Sequence, residues 1–296
     1  MRFEFNGYAG KILEIDLTQG KVKQTSLEPD LALKYIGGKG FAARWLYDRM
    51  PSECDPFGPE NILIFATGPL TGTLVPGSGR CIVSCKSPAT GYWLDANCGG
   101  FFGPEMKIAG FDAVILRGMA SQPVMIVMDD ENIKIQEARD LWGKDTFTTH
   151  QWIKSNFGEE FRVACIGEAG EKKVRFANII SEARAFGRGG AGAVMGSKNL
   201  KAIAIKGYHP ITISNPERFM RVCREAFNEI AIHPDSGGSR QKYGTNTILS
   251  CMNEAGVHPV RNFQKGVFQG RSIVNEEEIR EFYVRNRACY GCPIYC

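Results

Sequence analysis

Three cysteines close to the end of the sequence have a spacing that suits an iron–sulfur cluster. The run is C-x2-C-x3-C and consists of Cys289, Cys292 and Cys296. Thiolates at this spacing, on a short segment that contains Gly291 and Pro293, converge on one face of a cluster. Because a [4Fe–4S] cluster is usually held by four cysteines, we expect the fourth ligand to lie elsewhere. The run therefore predicts a redox protein.

Other uses of three crowded cysteines agree less well with the sequence. A structural zinc site normally has two ligand pairs that are far apart, whereas the nearest upstream histidine here is His258. A disulfide framework is typical of short secreted chains. Radical-SAM proteins use the reverse spacing. Zinc remains the alternative to an iron–sulfur cluster.

Composition argues against several classes of function. The net charge is only +4, from 36 basic and 32 acidic residues, which does not indicate nucleic-acid binding. No stretch reaches the roughly 18 apolar residues that span a membrane. Residues 1–7 contain no apolar run of signal-peptide length, and ten cysteines at irregular spacings favour reduced thiols. We therefore expect a cytoplasmic protein with neither nucleic acid nor membrane as partner.

Glycine is unusually frequent, and many of the 34 glycines lie in short clusters. Successive N–H groups in glycine-rich turns form concavities that bind anions. Arg80, Arg184 and Arg188 lie in or beside these turns, and a guanidinium suits phosphate. The pattern favours a phosphate-bearing cofactor, and the alternative is that a sheet with many tight turns simply needs glycine. The clusters span residues 37–40, 77–80, 97–103 and 187–192.

One of these clusters matches a dinucleotide-binding motif by spacing alone. Gly187–Gly192 fits G-x-G-x-x-G, but that fold needs a buried strand before the motif and a full helix after it. Residues 180–186 lack the pattern of a buried strand, and too few residues follow Gly192 for a crossover helix. We therefore expect no dinucleotide-binding fold.

Apolar alternation predicts that the first two hundred residues are mostly strands and turns. The predicted strands lie at 10–16, 21–25, 61–67, 80–85, 113–117, 123–128, 132–135 and 200–206. Helical patterns interrupt them at about 31–35, 41–49 and 146–156. Past this region the periodicity becomes helical, at 216–230 and again from 275 to 284. We expect an α+β fold, with a β-rich domain over 1–210 and the start of a truncated helical domain over 211–296.

Four strings resemble the N-terminal half of the aldehyde:ferredoxin oxidoreductases, tungsten enzymes with a bis-pterin cofactor. The resemblance extends from about Gly7 to Cys296, and the family's chain is about twice as long. It implies an N-terminal base of two sheets that supports the cofactor. The strings are GPLTGT at 68–73, ANCGGFFGPEMKIAGFD at 96–112, IGEAG at 166–170 and GRGGAGAVMGSKNLKA at 187–202.

The resemblance also implies which residues bind the cofactor. Asn97 and the Ala185 carbonyl would hold a Mg²⁺ ion that bridges the two pterin phosphates, and Arg80 would lie between pterin and cluster. Cys81, Cys85 and Cys98 are expected in the core or near the cofactor, because dithiolenes supply the metal's sulfur ligands. The residues that would line the phosphates are Gly99, Arg184, Gly187 and Arg188.

The implied activity is oxidation of an aldehyde and water to a carboxylic acid at a tungsten or molybdenum bis-pterin centre (tungstopterin or molybdopterin). Electrons would leave through a [4Fe–4S] cluster to ferredoxin or an iron–sulfur partner subunit, in a homodimer or larger complex. Two alternatives remain: the tungsten subunit of a dearomatising acyl-CoA reductase complex, and a non-catalytic pterin-binding or assembly module.

No residue is assigned as a general acid or base. As the start of a longer subunit or one part of a split protein, the chain alone is expected to be inactive. Four scattered histidines are expected at the surface or in turns: His150, His209, His233 and His258.

Overall fold

The computed structural model describes residues 5–269 and 281–295. The chain divides into two compact units, Met1–Thr73 with Ser78–Ser214 and Leu74–Gly77 with Asn215–Cys296. That residues 1–210 and 211–296 form two separate domains remains a prediction.

Within the described residues, the first unit contains two mixed sheets of six strands each. The strands of the first sheet are β1 (Lys11–Asp16), β2 (Lys21–Ser26), β3 (Leu63–Ala66), β4 (Cys81–Lys86), β5 (Trp93–Cys98) and β6 (Ala113–Arg117). Those of the second are β7 (Val124–Asp129), β8 (Asn132–Glu137), β9 (Arg162–Cys165), β10 (Ile179–Ser181), β11 (Arg184–Phe186) and β12 (Leu200–Lys206). Their spatial orders are β2-β1-β6-β3-β4-β5 and β11-β10-β9-β12-β7-β8. The pairs β1–β6 and β7–β12 are parallel, and the other neighbours are antiparallel.

Helices connect and cover the strands. Those of the first unit are α1 (Pro29–Tyr35), α2 (Lys39–Arg49), α3 (Phe102–Ile108), α4 (Thr146–Phe157), α5 (Glu168–Glu171) and α6 (Ala191–Ser197). Those of the second unit are α7 (Pro216–Ile232), α8 (Arg240–Tyr243) and α9 (Leu249–Glu254). Short 3-10 or π turns occur at 139–141, 235–239 and 244–248.

The core of the first unit is layered. Helices α3 and α6 lie between the two sheets and contact strands of both. Phe65 of the first sheet, Phe102 of α3 and Phe186 of the second sheet meet there with ring centroids 5.5–6.4 Å apart. Helix α2 covers the outer face of the first sheet with Phe41, and α4 covers that of the second with Ile153. The α+β prediction with two sheets is confirmed.

The sequence pattern located most of the elements but missed the six-residue strand β5, the strand β9 and the helices α3, α5 and α6. The predicted β1–β2 hairpin and the predicted strands β3, β4, β6, β7, β8 and β12 are present. The segment 180–186, expected not to form a buried strand, contains the end of β10 and all of β11, two short strands that pair as an antiparallel hairpin. The strand before the G-x-G-x-x-G string therefore belongs to an antiparallel hairpin, and α6 spans only 7 residues. In the described part of the chain the string is thus not set in a parallel βαβ unit.

The second unit begins as predicted. Helix α7 starts after Asn215, whose Oδ1 accepts the Arg218 N–H at 2.9 Å, and Pro216 occupies its first turn. The helix predicted over 275–284 lies mostly outside the described residues.

Candidate functional site

The register of β4 and β5 brings together several of the predicted cofactor residues. Cys81 lies opposite Cys98 and Ile82 lies opposite Asn97, so Arg80 and Gly99 come at the same end of this strand pair. The Thr71 hydroxyl donates to the Arg80 carbonyl at 2.9 Å and fixes the entry to β4. The Asn97 and Arg80 side chains are exposed, whereas Cys98 is buried. A polar, accessible rim therefore lies over an apolar base.

The second sheet contributes to the same place through its edge strand β11, which contacts β5. A methyl group added at Gly100 would lie 3.3 Å from Cγ of Arg184, so the turn after β5 lies directly against that arginine. The candidate site is thus formed where an edge strand of one sheet meets an edge strand of the other. We use this term for Arg80, Asn97, Cys98, Gly99, Arg184, Ala185, Gly187 and Arg188.

Arg188 links the two edges directly. Its Nε donates to the Asp95 carbonyl at 2.6 Å and its NH2 group to Asp95 Oδ1 at 2.8 Å, although the arginine side chain is 67% exposed. A guanidinium with a carboxylate beside it offers less net positive charge to a phosphate. Binding of phosphate by Arg188 remains a prediction. In the structure, Arg188 joins the segment after β11 to β5 through its contacts with Asp95.

The glycines of the 187–192 string fall into two kinds. A methyl group at Gly190 would lie 1.9 Å from the Arg175 carbonyl oxygen, and one at Gly189 would lie 2.2 Å from Leu94. Both residues also have positive φ, +86° and +71°. Gly187 has no positive φ, and a methyl group added there would lie no closer than 3.9 Å to any residue other than its chain neighbours. Packing therefore requires glycine at 189 and 190, whereas the backbone at 187 is open to a ligand.

Helix α3 starts at the turn after β5 and is held in place by a buried charge pair. Lys107 and Asp112 are both fully buried and joined by an ion pair, and Lys107 Nζ also donates to the Gly7 carbonyl at 3.1 Å. The two Asp112 oxygens accept the N–H groups of Ala9 and Gly10. Burial lowers the pKa of Lys107, and Asp112 opposes this effect. The network ties the start of β1 to the end of α3.

Helix α6, which follows the 187–192 string, ends on another buried lysine. Lys198 Nζ donates to the Gly118 carbonyl at 3.0 Å. In the part of the chain that the structure describes, no ion pair joins it to a carboxylate. Burial lowers the pKa of Lys198 to about 8, and the nearby thiols of Cys85 and Cys54 act in the opposite direction.

The three cysteines predicted to lie in the core or near the cofactor are buried. Cys81 packs under α3, where a methyl group on Gly103 would lie 2.7 Å from its Cβ. The Cys98 thiol donates to the Gly99 carbonyl at 3.2 Å. Burial, and to a lesser degree Cys98, raises the pKa of Cys81 well above its usual value, and burial raises that of Cys85 to about 12. The Cys81 and Cys85 thiols are therefore protonated at neutral pH.

The cysteine run of the second unit forms a turn. The Cys292 N–H donates to the Cys289 carbonyl at 3.1 Å, and Gly291 has a φ of +60°. Both cysteines are half-buried and unbridged. The turn is bound from outside by the Gly77 N–H, 2.9 Å from the Gly291 carbonyl, and by Gln241 Nε2, 3.0 Å from the Pro293 carbonyl.

Cys296 lies outside the described residues, so the run as a ligand set remains a prediction. No group of three or more His, Cys, Asp or Glu side chains among residues 5–269 and 281–295 is placed to hold a metal ion.

Sequence reasoning overlooked the residues that support β10 and β11 from behind. His150, expected at the surface or in a turn, is a half-buried residue of α4 that hydrogen-bonds the turn between these strands. Arg162 of β9 contacts the same turn through Glu182. Neither residue belongs to a motif, and only the spatial arrangement identifies them.

No helix in the described portion of the chain is both long and apolar enough to cross a membrane.

Comparison with known proteins defines the class of this two-sheet structure. Residues 12–207 match the family model for the N-terminal domain of aldehyde ferredoxin oxidoreductase, and residues 221–296 match the model for domains 2 and 3. The chain belongs to the aldehyde ferredoxin oxidoreductase family, which confirms the resemblance seen in the sequence.

Individual relatives agree with this assignment. The chain is 46% identical over 293 residues to the tungsten-containing aldehyde ferredoxin oxidoreductase of Pyrococcus horikoshii, covering 98% of this chain and 48% of the relative. It is 44% identical, with the same coverage, to the enzyme of that name from Thermococcus kodakarensis. The chain therefore spans about half the length of the curated relatives it matches.

A solved structure shares the fold. The active site complex BamBC of benzoyl coenzyme A reductase, in complex with 1,5-dienoyl-CoA, matches with a TM-score of 0.86 and 33% identity. The match covers 98% of this chain and 47% of that one.

Proposed function

We propose that this chain is the cofactor-binding half of a tungsten (or molybdenum) bis-pterin oxidoreductase that oxidises aldehydes to carboxylic acids. The balanced reaction is RCHO + H2O → RCOOH + 2H⁺ + 2e⁻. The observation that carries the proposal is the meeting of β5 and β11, which gathers the predicted phosphate-binding groups at one place in a chain 46% identical to a tungsten-containing relative.

The residues present fit the phosphates of such a cofactor. Arg184 is half-buried against Gly100, whose φ of +90° and lack of a side chain let the arginine pack on the turn after β5. The open backbone of Gly187 offers an approach for a ligand. A guanidinium and successive N–H groups are the donors that phosphate oxygens need. We assign these residues, with Gly99 and Arg188, to the phosphates.

The donor set also fits Mg²⁺, which prefers oxygen ligands. Asn97 is exposed at the end of β5, and Ala185 lies on β11, an edge strand whose backbone is paired on one side only. In this proposal the Asn97 amide oxygen and the Ala185 carbonyl would hold the ion, Arg80 would contact the pterin, and Cys98 would pack near the cofactor. When bound, the cofactor supplies the two-electron chemistry, and the protein supplies position and charge.

We further propose that Cys289, Cys292 and Cys296 bind a [4Fe–4S] cluster with a fourth ligand from outside this chain. Electrons would pass through it to ferredoxin or to an iron–sulfur partner subunit, in a homodimer or larger complex. The half-buried, unbridged state of Cys289 and Cys292 and the fixed turn between them support this assignment. A cytoplasmic location agrees with the unbridged thiols found throughout the described residues.

Two substitutions in the full-length enzyme test the assignment. Asn97→Ala should lower tungsten and pterin content together, measured by elemental analysis and by pterin fluorescence after oxidation, and full content would refute the magnesium assignment. Asn132→Ala, at the start of β8 and outside the candidate site, is the control. Arg80→Ala should reduce turnover more than pterin content, whereas Arg117→Ala on β6 should change neither.

The acyl-CoA reductase function is the second candidate, because the BamBC structure matches this chain over 98% of its length. Assaying the full-length enzyme with aldehydes and with an aromatic acyl-CoA plus a strong reductant separates the two. Turnover of the CoA ester without aldehyde oxidation would reverse the order of the candidates. A stable, cofactor-loaded product with neither activity would favour the assembly module.

A further inference from the structure

His150 lies behind the hairpin that carries Arg184 and Ala185, and its two ring nitrogens have different partners. Nε2 accepts the backbone N–H of Glu182 at 2.9 Å, and Nδ1 lies 2.7 Å from the Thr146 carbonyl oxygen. Because an amide N–H only donates and a carbonyl oxygen only accepts, these partners fix the ring as neutral, with its proton on Nδ1.

The turn that His150 holds has an unfavourable backbone conformation. Glu182 follows Ser181, which pairs with Arg184 across the hairpin, and has a φ of +54°. A residue with a side chain adopts this left-handed conformation only at a cost of order 1 kcal/mol, so surrounding contacts must stabilise it. The hydrogen bond from the Glu182 N–H to His150 is such a contact.

A second contact comes from β9. Arg162 NH1 lies 3.0 Å from Glu182 Oε1, and the same guanidinium stacks on Phe101 with 5.0 Å to the ring centroid. Phe101 directly follows Gly100, in the turn after β5 that contains Gly99 of the candidate site. Arg162 therefore connects the hairpin turn with the turn after β5, while His150 fixes the main chain of the hairpin.

Cys165 lies close enough to His150 to suggest a nucleophilic pair, with Sγ 3.3 Å from Nδ1. That Nδ1 proton is directed at Thr146, so it leaves no acceptor there for the thiol proton. Burial also raises the pKa of Cys165 to about 12, which keeps the thiol protonated. The geometry therefore excludes a thiolate–imidazolium pair and leaves His150 with its contact to Glu182.

We infer that His150 is a positioning residue whose neutral imidazole holds the β10–β11 hairpin so that Arg184 and Ala185 face the cofactor phosphates. This inference rests on the proposed function for the identity of the ligand. Uptake of a second proton would turn Nε2 from an acceptor into a donor facing another donor. Cofactor retention should therefore fall as the pH falls.

Other ionisable groups near the imidazole bear on this response. Glu182 has its carboxylate paired with Arg162, and the Cys165 thiol is protonated. Ionisable groups on the packed elements face His150 or its contacts: Cys165 and Arg162 on β9, Glu182 on the hairpin, Glu105 on α3, Asp145 at the start of α4 and Lys201 on β12.

The first experiment uses the 296-residue chain labelled with ¹⁵N-histidine, which has only four histidines. At neutral pH the His150 signals, assigned with His150→Gln, should show a protonated Nδ1 and an unprotonated Nε2. The protection factor of the Glu182 amide, which compares its exchange rate with the intrinsic base-catalysed rate at the same pH, should fall on going from about pH 8 to about pH 5. A proton on Nε2 at neutral pH, or a protection factor of the Glu182 amide that does not change with pH, would overturn the inference.

The second experiment measures loss of cofactor from the full-length holoenzyme over the same pH range. Wild type should lose it about tenfold faster at the acidic end, as expected from one lost hydrogen bond. His150→Gln keeps an acceptor but does not titrate, so its rate should stay nearly flat. His150→Phe should lose cofactor quickly at every pH, and His209→Gln, which alters an exposed histidine, should behave as wild type.

The outcomes separate this inference from the proposed function. If the bound cofactor is not a pterin but the tautomer and the pH response of Glu182 are as expected, the proposed function fails and the positioning role stands. If a pterin is bound but wild type and His150→Gln lose it with the same pH dependence, the positioning role is wrong.

Discussion

Helices α3 and α6 are built alike but stabilised differently. Each has 7 residues, follows a glycine turn of the candidate site, packs between the two sheets and leads to a buried lysine. Lys107 of α3 has the carboxylate of Asp112, whereas Lys198 after α6 has the Gly118 carbonyl. The starts differ as well, because Gly190 is enclosed by main chain and Gly100 by a flexible side chain.

This difference indicates that similar glycine-rich strings have different structural roles. At α6 the glycines allow neighbouring backbone to pack closely, so replacing them should lower the free energy of unfolding. At α3 the fold depends on a buried charge pair, and the glycine turn is freer to serve a ligand. Four substitutions test this contrast.

Gly190→Ala should have the largest effect. Its methyl group would lie 1.9 Å from the Arg175 carbonyl oxygen, in a residue with a φ of +86°. We expect a loss of about 4–5 kcal/mol in the free energy of unfolding, combining overpacking and left-handed strain. Gly100→Ala, which meets only the Arg184 side chain, should cost about 1–2 kcal/mol. Equal losses in urea unfolding would remove the distinction between the two helix starts.

Asp112→Asn should come next, with a loss of about 3 kcal/mol, because it leaves the buried Lys107 ammonium without a counter-charge. Glu131→Gln is the matched control, since the Lys11–Glu131 pair is exposed and should contribute less than about 1 kcal/mol. Thermal unfolding measures both. A loss for Asp112→Asn no larger than that of the control would show that the pair does not hold α3.

Lys198→Met should produce a pH-dependent change on the order of 2 kcal/mol. Because burial lowers the Lys198 pKa from 10.5 to about 8, the unfolded chain binds the extra proton between these values. Wild-type stability should therefore rise from about pH 8 to about pH 10.5 relative to the variant, and the difference should be constant below pH 8. If the stabilities of wild type and variant change in parallel throughout this range, folding does not lower the pKa of Lys198.

Gly187→Ala should have the smallest effect on stability, less than about 0.5 kcal/mol, because its methyl group meets nothing closer than 3.9 Å. In the full-length enzyme it should nonetheless weaken cofactor retention if the open backbone receives a phosphate. Chemical unfolding and pterin content measure the two effects. A large loss of stability would place Gly187 with the packing glycines.

Sequence alone located the parts of this fold that have strong periodicity. Strands such as β12 (Leu200–Lys206) are mostly apolar, and α7 has a clear cap at Asn215. Helices α3 and α6 were missed because glycine interrupts their pattern and tertiary packing, not propensity, makes them helical. Strands β10 and β11 have 3 residues each, too few to show alternation.

The candidate site was predictable only in part, for a similar reason. Glycine with arginine indicated phosphate binding, but the residue-by-residue assignment came from the family resemblance. Gly187 and Gly190 look alike in sequence and differ only in what surrounds them. His150 carried no signal, since its role depends on Glu182, 32 positions away, and on the left-handed turn there.

Cysteines are commonly the residues that oxygen damages first, yet the buried base of the candidate site contains Cys98 and its cross-strand neighbour Cys81. Cys81 and Cys98 face each other across β4 and β5, and burial holds the Cys81 thiol in its protonated form. Peroxides and disulfides react with thiolates. These two buried cysteines should therefore survive an exposure to air that oxidises a solvent-exposed thiol. Oxidative damage should begin instead at the exposed Cys251 and at the half-buried Cys289 and Cys292.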